Sequence, residues 1–165
     1  MGAVVTEGWH DFLVAAAGAA GALAGLVFVA LSLNLGRILE SQELPGRAAE
    51  TIVQLAGALT AALLALIPDT TPASLGGLVI GTGTLMWAVP TRLQVLSIVR
   101  KTYYRRWFAF QRLALHQVAS LPMVLAGVLV VLGARHAMDW MAGALLAAMI
   151  GALNNAWVLL VEIVR

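Results

Sequence analysis

Phe12–Leu33 reads FLVAAAGAAGALAGLVFVALSL, an apolar run without one charged side chain. A helix rises about 1.5 Å per residue and needs about 20 apolar residues to cross a hydrocarbon core of ~30 Å. This run has that length, and it is apolar on every side, as a helix surrounded by water is not. Four further apolar stretches follow at Ile52–Ile67, Leu75–Thr91, Leu113–Gly133 and Trp140–Val161. Residues are 61% hydrophobic and 11% charged, and the mean hydropathy is +0.92, outside the range of soluble domains. The sequence therefore predicts an all-α polytopic membrane protein, one bundle of five transmembrane helices with no separate soluble domain.

Met1–Asp11 carries no Lys or Arg and holds Glu7 and Asp11, so the basic start of a secretory signal is missing. The first run is expected to be a retained span. Basic residues then sort by side. Arg37 and Arg47 lie on Gly36–Glu50; Arg92, Arg100, Lys101, Arg105, Arg106 and Arg112 surround the third connection; Arg165 ends the chain. The other side, built from Met1–Asp11, Pro68–Ser74 and Ala134–Asp139, has Arg135 alone. A split of nine to one predicts an outer N-terminus and an inner C-terminus. Counting Glu7, Asp11, Asp69 and Asp139 outside gives −3 there, and Glu40, Glu43, Glu50 and Glu162 leave +5 inside. Anionic lipid headgroups are the expected partners of the inner face, and cations gather at the outer one.

Small residues dominate the first run. Gly21 and Gly25 form a GxxxG pair, and Gly18, Ala22 and Ser32 extend the face. Helices in lipid gain little from burying apolar surface against each other, so they associate where backbones approach closely. The first helix is therefore expected at the bundle centre or at an oligomer axis. In the last run Gly143, Ala147, Gly151 and Asn155 recur at every fourth position, and Gly77 and Gly81 form a shorter motif. Pro90 and Pro122 each remove a backbone donor inside a run, where a kink is expected. Pro68 and Pro72 bracket a tight outer turn, which makes runs two and three an antiparallel hairpin. Trp9 and Trp140 mark an outer aromatic belt; Tyr103, Tyr104, Trp107 and Phe108 mark an inner one. Tyr104–Leu115 reads as an amphipathic extension lying at the headgroups, so its basic and aromatic residues point to lipid and not to nucleic acid.

Polar groups at membrane depth carry a cost that asks for a function. Asn154 and Asn155 are the deepest, placed either to line a narrow pore or to bond a neighbouring helix. Asn34, Gln54, Arg92, Gln94, Arg112, His116, Gln117 and Glu162 gather near the inner boundary. Arg112 and Glu162 are expected to pair there; the alternative is an inner gate or a proton-linked site, with His116 titrating near neutral pH. Outside, His10-Asp11 and His136-x-x-Asp139 place imidazole beside carboxylate at two helix ends, without recognised metal-site spacing. HExxH, GxSxG, a glycine-rich phosphate loop and cysteine are all missing, so neither an enzyme nor a metal or cofactor is expected.

Trp9-His10-Asp11-Phe12, the run from Gly25 to Asn34, and Leu44-Pro45-Gly46-Arg47-Ala48-Ala49-Glu50-Thr51 together resemble a group of small actinobacterial integral-membrane proteins. That group is of unknown function, and some members are labelled "modulator of FtsH protease". The resemblance runs to about residue 70 and continues only as pattern. It implies a multi-pass protein of a bacterial plasma membrane and no catalytic residues. The expected function is subunit of a homo-oligomeric ion channel or pore, with Gly18, Gly21, Gly25, Ser32, Asn34, Asn154 and Asn155 as lining or helix-packing residues. The alternative is a non-catalytic scaffold or regulatory subunit that docks on another membrane protein, for example a membrane protease.

Overall fold

A computed structural model describes residues 6, 8–41, 44–99 and 103–164; side chains are described except at 97–99, 103–112, 115, 119 and 162–164. All regular structure among the described residues is helical, with no strand. The helices are α1 (His10–Leu33), α2 (Leu35–Glu40), α3 (Leu44–Ala65), α4 (Pro72–Val99), α5 (Tyr103–Val131) and α6 (Ala137–Val164). Four segments are long and apolar enough to cross a membrane: His10–Leu33, Leu44–Ala65, Pro72–Leu96 and Ala137–Val161. In α5 the apolar portion is shorter, His116–Val131, because the first half of that helix carries Arg105, Arg106, Gln111 and Arg112.

The helix ends follow from local chemistry. Thr71 caps α4: its hydroxyl oxygen accepts the Ser74 N–H at 3.2 Å, and Pro72 occupies the first helical position, where no N–H is needed. Asp69 closes the preceding turn at φ 56°, a left-handed conformation that Asp tolerates better than most side chains. The α3–α4 hairpin expected from Pro68–Ser74 is thus present. Gly133 ends α5 at φ 66°; its N–H bonds the Val130 carbonyl, and the Ala134 N–H reaches back to Leu129. That pair of bonds is a Schellman motif, which needs a residue free of Cβ strain at its left-handed position. Both internal prolines, Pro90 and Pro122, lie within helices that run on past them.

Around Gly36–Glu50 the structure differs from the loop expected there. Asn34 ends α1, α2 follows at once, and α3 begins at Leu44, with Pro45 in its first turn. The second candidate span is consequently 22 residues long, and Arg47 and Glu50 belong to it.

The central helix is α3, not α1. It packs on α1, α4 and α6, and 56% of its 18-residue apolar stretch is buried against 28% for the corresponding stretch of each of the other three candidate spans. Ala58, Ala61, Ala62 and Ala65 form its innermost face, met by Leu13, Ala16, Ala17 and Ala20 of α1 and by Ala144, Ala148 and Ala152 of α6. One side of α1 uses its small residues in this way. The other side, equally small, stays exposed. A helix small all round carries no periodic signal for which side packs.

The tightest contact joins α4 to α5. A Cβ on Gly76 would lie 2.7 Å from the Gly127 carbonyl oxygen, and one on Gly83 would lie 2.9 Å from the Val124 nitrogen. Neither neighbour is a side chain that can swing away, so these glycines let the backbones touch. Gly77 and Gly81, which form the sequence motif, face outward, and a Cβ on either would meet nothing within 4 Å.

Candidate functional site

Six polar side chains are buried among the described residues, each 4% exposed or less: Glu50, Thr51 and Gln54 of α3, Gln94 of α4, and His116 and Ser120 of α5. Helical periodicity places Glu50 and Gln54 one turn apart on one side of α3. Burying such groups is costly unless they are hydrogen-bonded. Thr51 donates to the Arg47 carbonyl at 2.9 Å and Ser120 to the His116 carbonyl at 2.8 Å, so both hydroxyls are satisfied within their own helices. Gln54 Nε2 lies 3.0 Å from His116 Nδ1, a bond between α3 and α5. A second cross-helix chain runs nearby: Trp87 Nε1 of α4 donates to Gln117 Oε1 of α5, whose Nε2 donates back to Thr91 Oγ1 at 3.3 Å.

The expected inner-boundary cluster of Arg112, His116 and Glu162 is placed only in part. His116 is buried; the side chains of Arg112 and Glu162 lie outside the described residues. Gln54, Gln94 and Gln117 join the polar layer, whereas Arg92 is exposed. Glu50, Thr51, Ser120, Trp87 and Thr91 belong to the layer although the sequence alone did not point to them. Glu50 carried a usable signal, the four-residue spacing to Gln54, which a loop ending at Glu50 concealed.

The expected lining residues are spread over the outside of the bundle. Gly18 and Gly25 are exposed with open space where a Cβ would stand, and Gly21 is half-buried, 3.9 Å from Leu59 by the same measure. Ser32 is exposed and donates to the Phe28 carbonyl at 2.8 Å; Asn34, half-buried, donates to the Ala30 carbonyl at 2.8 Å. Asn154 is exposed and Asn155 half-buried. Between Val14 and Gly25 the outward side of α1 is made of Ala15, Gly18, Ala19, Ala22 and Gly25. Larger exposed groups, Leu26, Phe28, Val29 and Leu33, follow toward its end.

At the end where α1 begins, a cavity of about 320 Å³ lies between that helix and the α3–α4 turn, with His10, Asp69, Thr6 and Thr70 among its lining. His136 Nδ1 and Asp139 Oδ2 are 2.8 Å apart at the start of α6, both exposed. An apolar groove of about 160 Å³ separates α1 from α6, lined by aliphatic side chains such as Leu23, Val27, Leu153 and Leu159. Among the described residues no three His, Asp or Glu side chains converge on one point.

No protein-family model, curated protein or solved structure matches this chain.

Proposed function

We propose that the chain is a five-span protein of a bacterial plasma membrane, N-terminus outside, acting as subunit of a homo-oligomeric channel or pore. The observation that carries the proposal is the bare outward face of α1. Ala15, Gly18, Ala19, Ala22 and Gly25 leave the backbone of that helix open over three turns. Lipid chains gain nothing from such a face, whereas a second helix gains close backbone contact along it. A copy of the same chain supplies the same surface, and rotational symmetry closes it into a ring.

Any conduction path runs between subunits, because Leu55, Met86, Met123 and Met141 fill the bundle interior. Ser32, Asn34 and Asn154, exposed or half-buried on the outside of the bundle, are the polar groups assigned to its lining, the acidic outer face draws cations toward it, and the basic inner loops hold anionic headgroups. The test is cation flux in proteoliposomes of the purified chain, with Asn34→Leu and Asn154→Leu beside it. Flux that changes in either variant supports a pore; no flux under any gradient rejects it.

A second reading uses the same face to dock another membrane protein, as a scaffold or regulatory subunit without catalysis. Ser32 and Asn34 favour it, since each is already hydrogen-bonded to its own helix backbone and does not require a partner in a pore. Mild extraction that brings down one stoichiometric partner would support this reading over the pore.

A further inference from the structure

We propose that Gln54 and His116 form a proton-binding site inside the bundle, at which uptake of one proton reverses the hydrogen bond joining α3 to α5. The inference does not depend on how copies of the chain assemble. Gln54 Nε2 is 3.0 Å from His116 Nδ1. An amide NH₂ only donates, so Nδ1 accepts with its lone pair, and a neutral ring then carries its proton on Nε2. The acceptor half of the same amide, Gln54 Oε1, is buried and has no hydrogen-bond partner among the described residues.

A proton arriving from water bonds to the Nδ1 lone pair and turns that nitrogen into a donor. It then faces the donating side of the amide, which is repulsive. A half-turn of the Gln54 amide exchanges Nε2 for Oε1 and makes Nδ1–H···Oε1. The acceptor that lacked a partner gains one, and α3 and α5 stay bonded in both states. The site thus has two hydrogen-bonded arrangements that differ by one proton.

A cation in so apolar a place needs a counter-charge. On α3, Glu50 lies one turn from Gln54 and is 2% exposed, and half-buried Arg47 lies on the same side toward the helix start. On α4, Gln94 is buried and uncharged, while Arg92, two residues away and so turned by about 200°, is exposed. On α6 the described residues at this depth, Asn154, Asn155 and Leu159, are uncharged; Glu162, and Arg112 of α5 itself, have side chains outside the described residues. The counter-charge is assigned to Glu50, the acidic residue that is buried among the described residues.

The test uses the full chain in lipid nanodiscs with His10→Asn and His136→Asn, so that His116 is the one ring ¹⁵N-labelled. Its nitrogens are followed by NMR from about pH 8 to about pH 5, the range in which imidazole changes charge. The expected result is a bare Nδ1 at high pH that becomes protonated on acidification, with the Gln54 side-chain amide signals moving at the same midpoint. In Glu50→Gln the midpoint is displaced at least tenfold in proton concentration. A proton on Nδ1 at high pH overturns the proposal. So does a ring that stays neutral in the folded bundle, or unfolding in place of titration, or a Glu50→Gln midpoint that does not move.

Discussion

Gly76 on α4 and Gly127 on α5 hold two backbones in contact: a Cβ on Gly127 would lie 2.9 Å from the Gly76 carbonyl oxygen. Because the obstacle is main chain, the helices must separate to admit even a methyl group. Gly127→Val should therefore destabilise the bundle by about 1–3 kcal/mol, the usual cost of overpacking. Gly77→Val, on the exposed side of α4, should stay within about 0.5 kcal/mol of the parent. Reversible unfolding in mixed detergent micelles measures both. Equal losses at the two positions would contradict the assignment of the packing face.

The Gln54–His116 bond makes a separate energetic statement. Removing one partner leaves the other buried with its bond unmade, which costs about 1–3 kcal/mol, while removing both costs less than the sum. We expect Gln54→Leu and His116→Leu each to destabilise, and the double variant to show a coupling of about 0.5–3 kcal/mol in a double-mutant cycle. Simple additivity would mean that the two side chains do not act on each other.

How much of this was legible in the sequence depends on what each residue's signal was. Helices long and apolar enough to cross a membrane are legible, because a long uncharged run such as Phe12–Leu33 has few alternatives. The α3–α4 hairpin is readable from Pro68 and Pro72, since proline and the Thr71 cap act locally. The packing order is not. Gly77 and Gly81 form a motif, yet Gly76, Gly83 and Gly127 make the contact. With so many glycines and alanines, only the neighbouring helix decides which row is used. Glu50 was hidden for a related reason: Pro45-Gly46 reads as a turn, but Pro45 fits the first turn of α3 and draws Glu50 into the helix.

The turn at Asp69 gives a local test. At φ 56° a side chain is strained and glycine is not. Asp69→Gly should hold or raise stability, and Asp69→Val should lower it by about 1 kcal/mol, because a β-branched side chain tolerates the left-handed region less well than Asp. Thermal aggregation midpoints in detergent rank the three proteins. A more stable Asp69→Val would show that the turn is formed differently.

The chain has no cysteine, so single introduced thiols report sidedness without background. Ala73→Cys and Arg135→Cys are expected to react with a membrane-impermeant maleimide added outside intact cells, and Glu40→Cys only after the membrane is opened. Arg135 decides the role of α5, whose apolar portion is the shortest. Labelling of Arg135→Cys only from inside would mean that α5 does not cross.

Assembly through the bare face of α1 is the claim on which the functional proposal rests, and particle mass in native nanodiscs tests it most directly. The parent chain is expected as a closed ring of identical subunits, and Gly18→Leu with Gly25→Leu as a folded monomer, because both positions are open in the isolated bundle. A parent chain that is already monomeric, or a ring that survives both leucines, would contradict it.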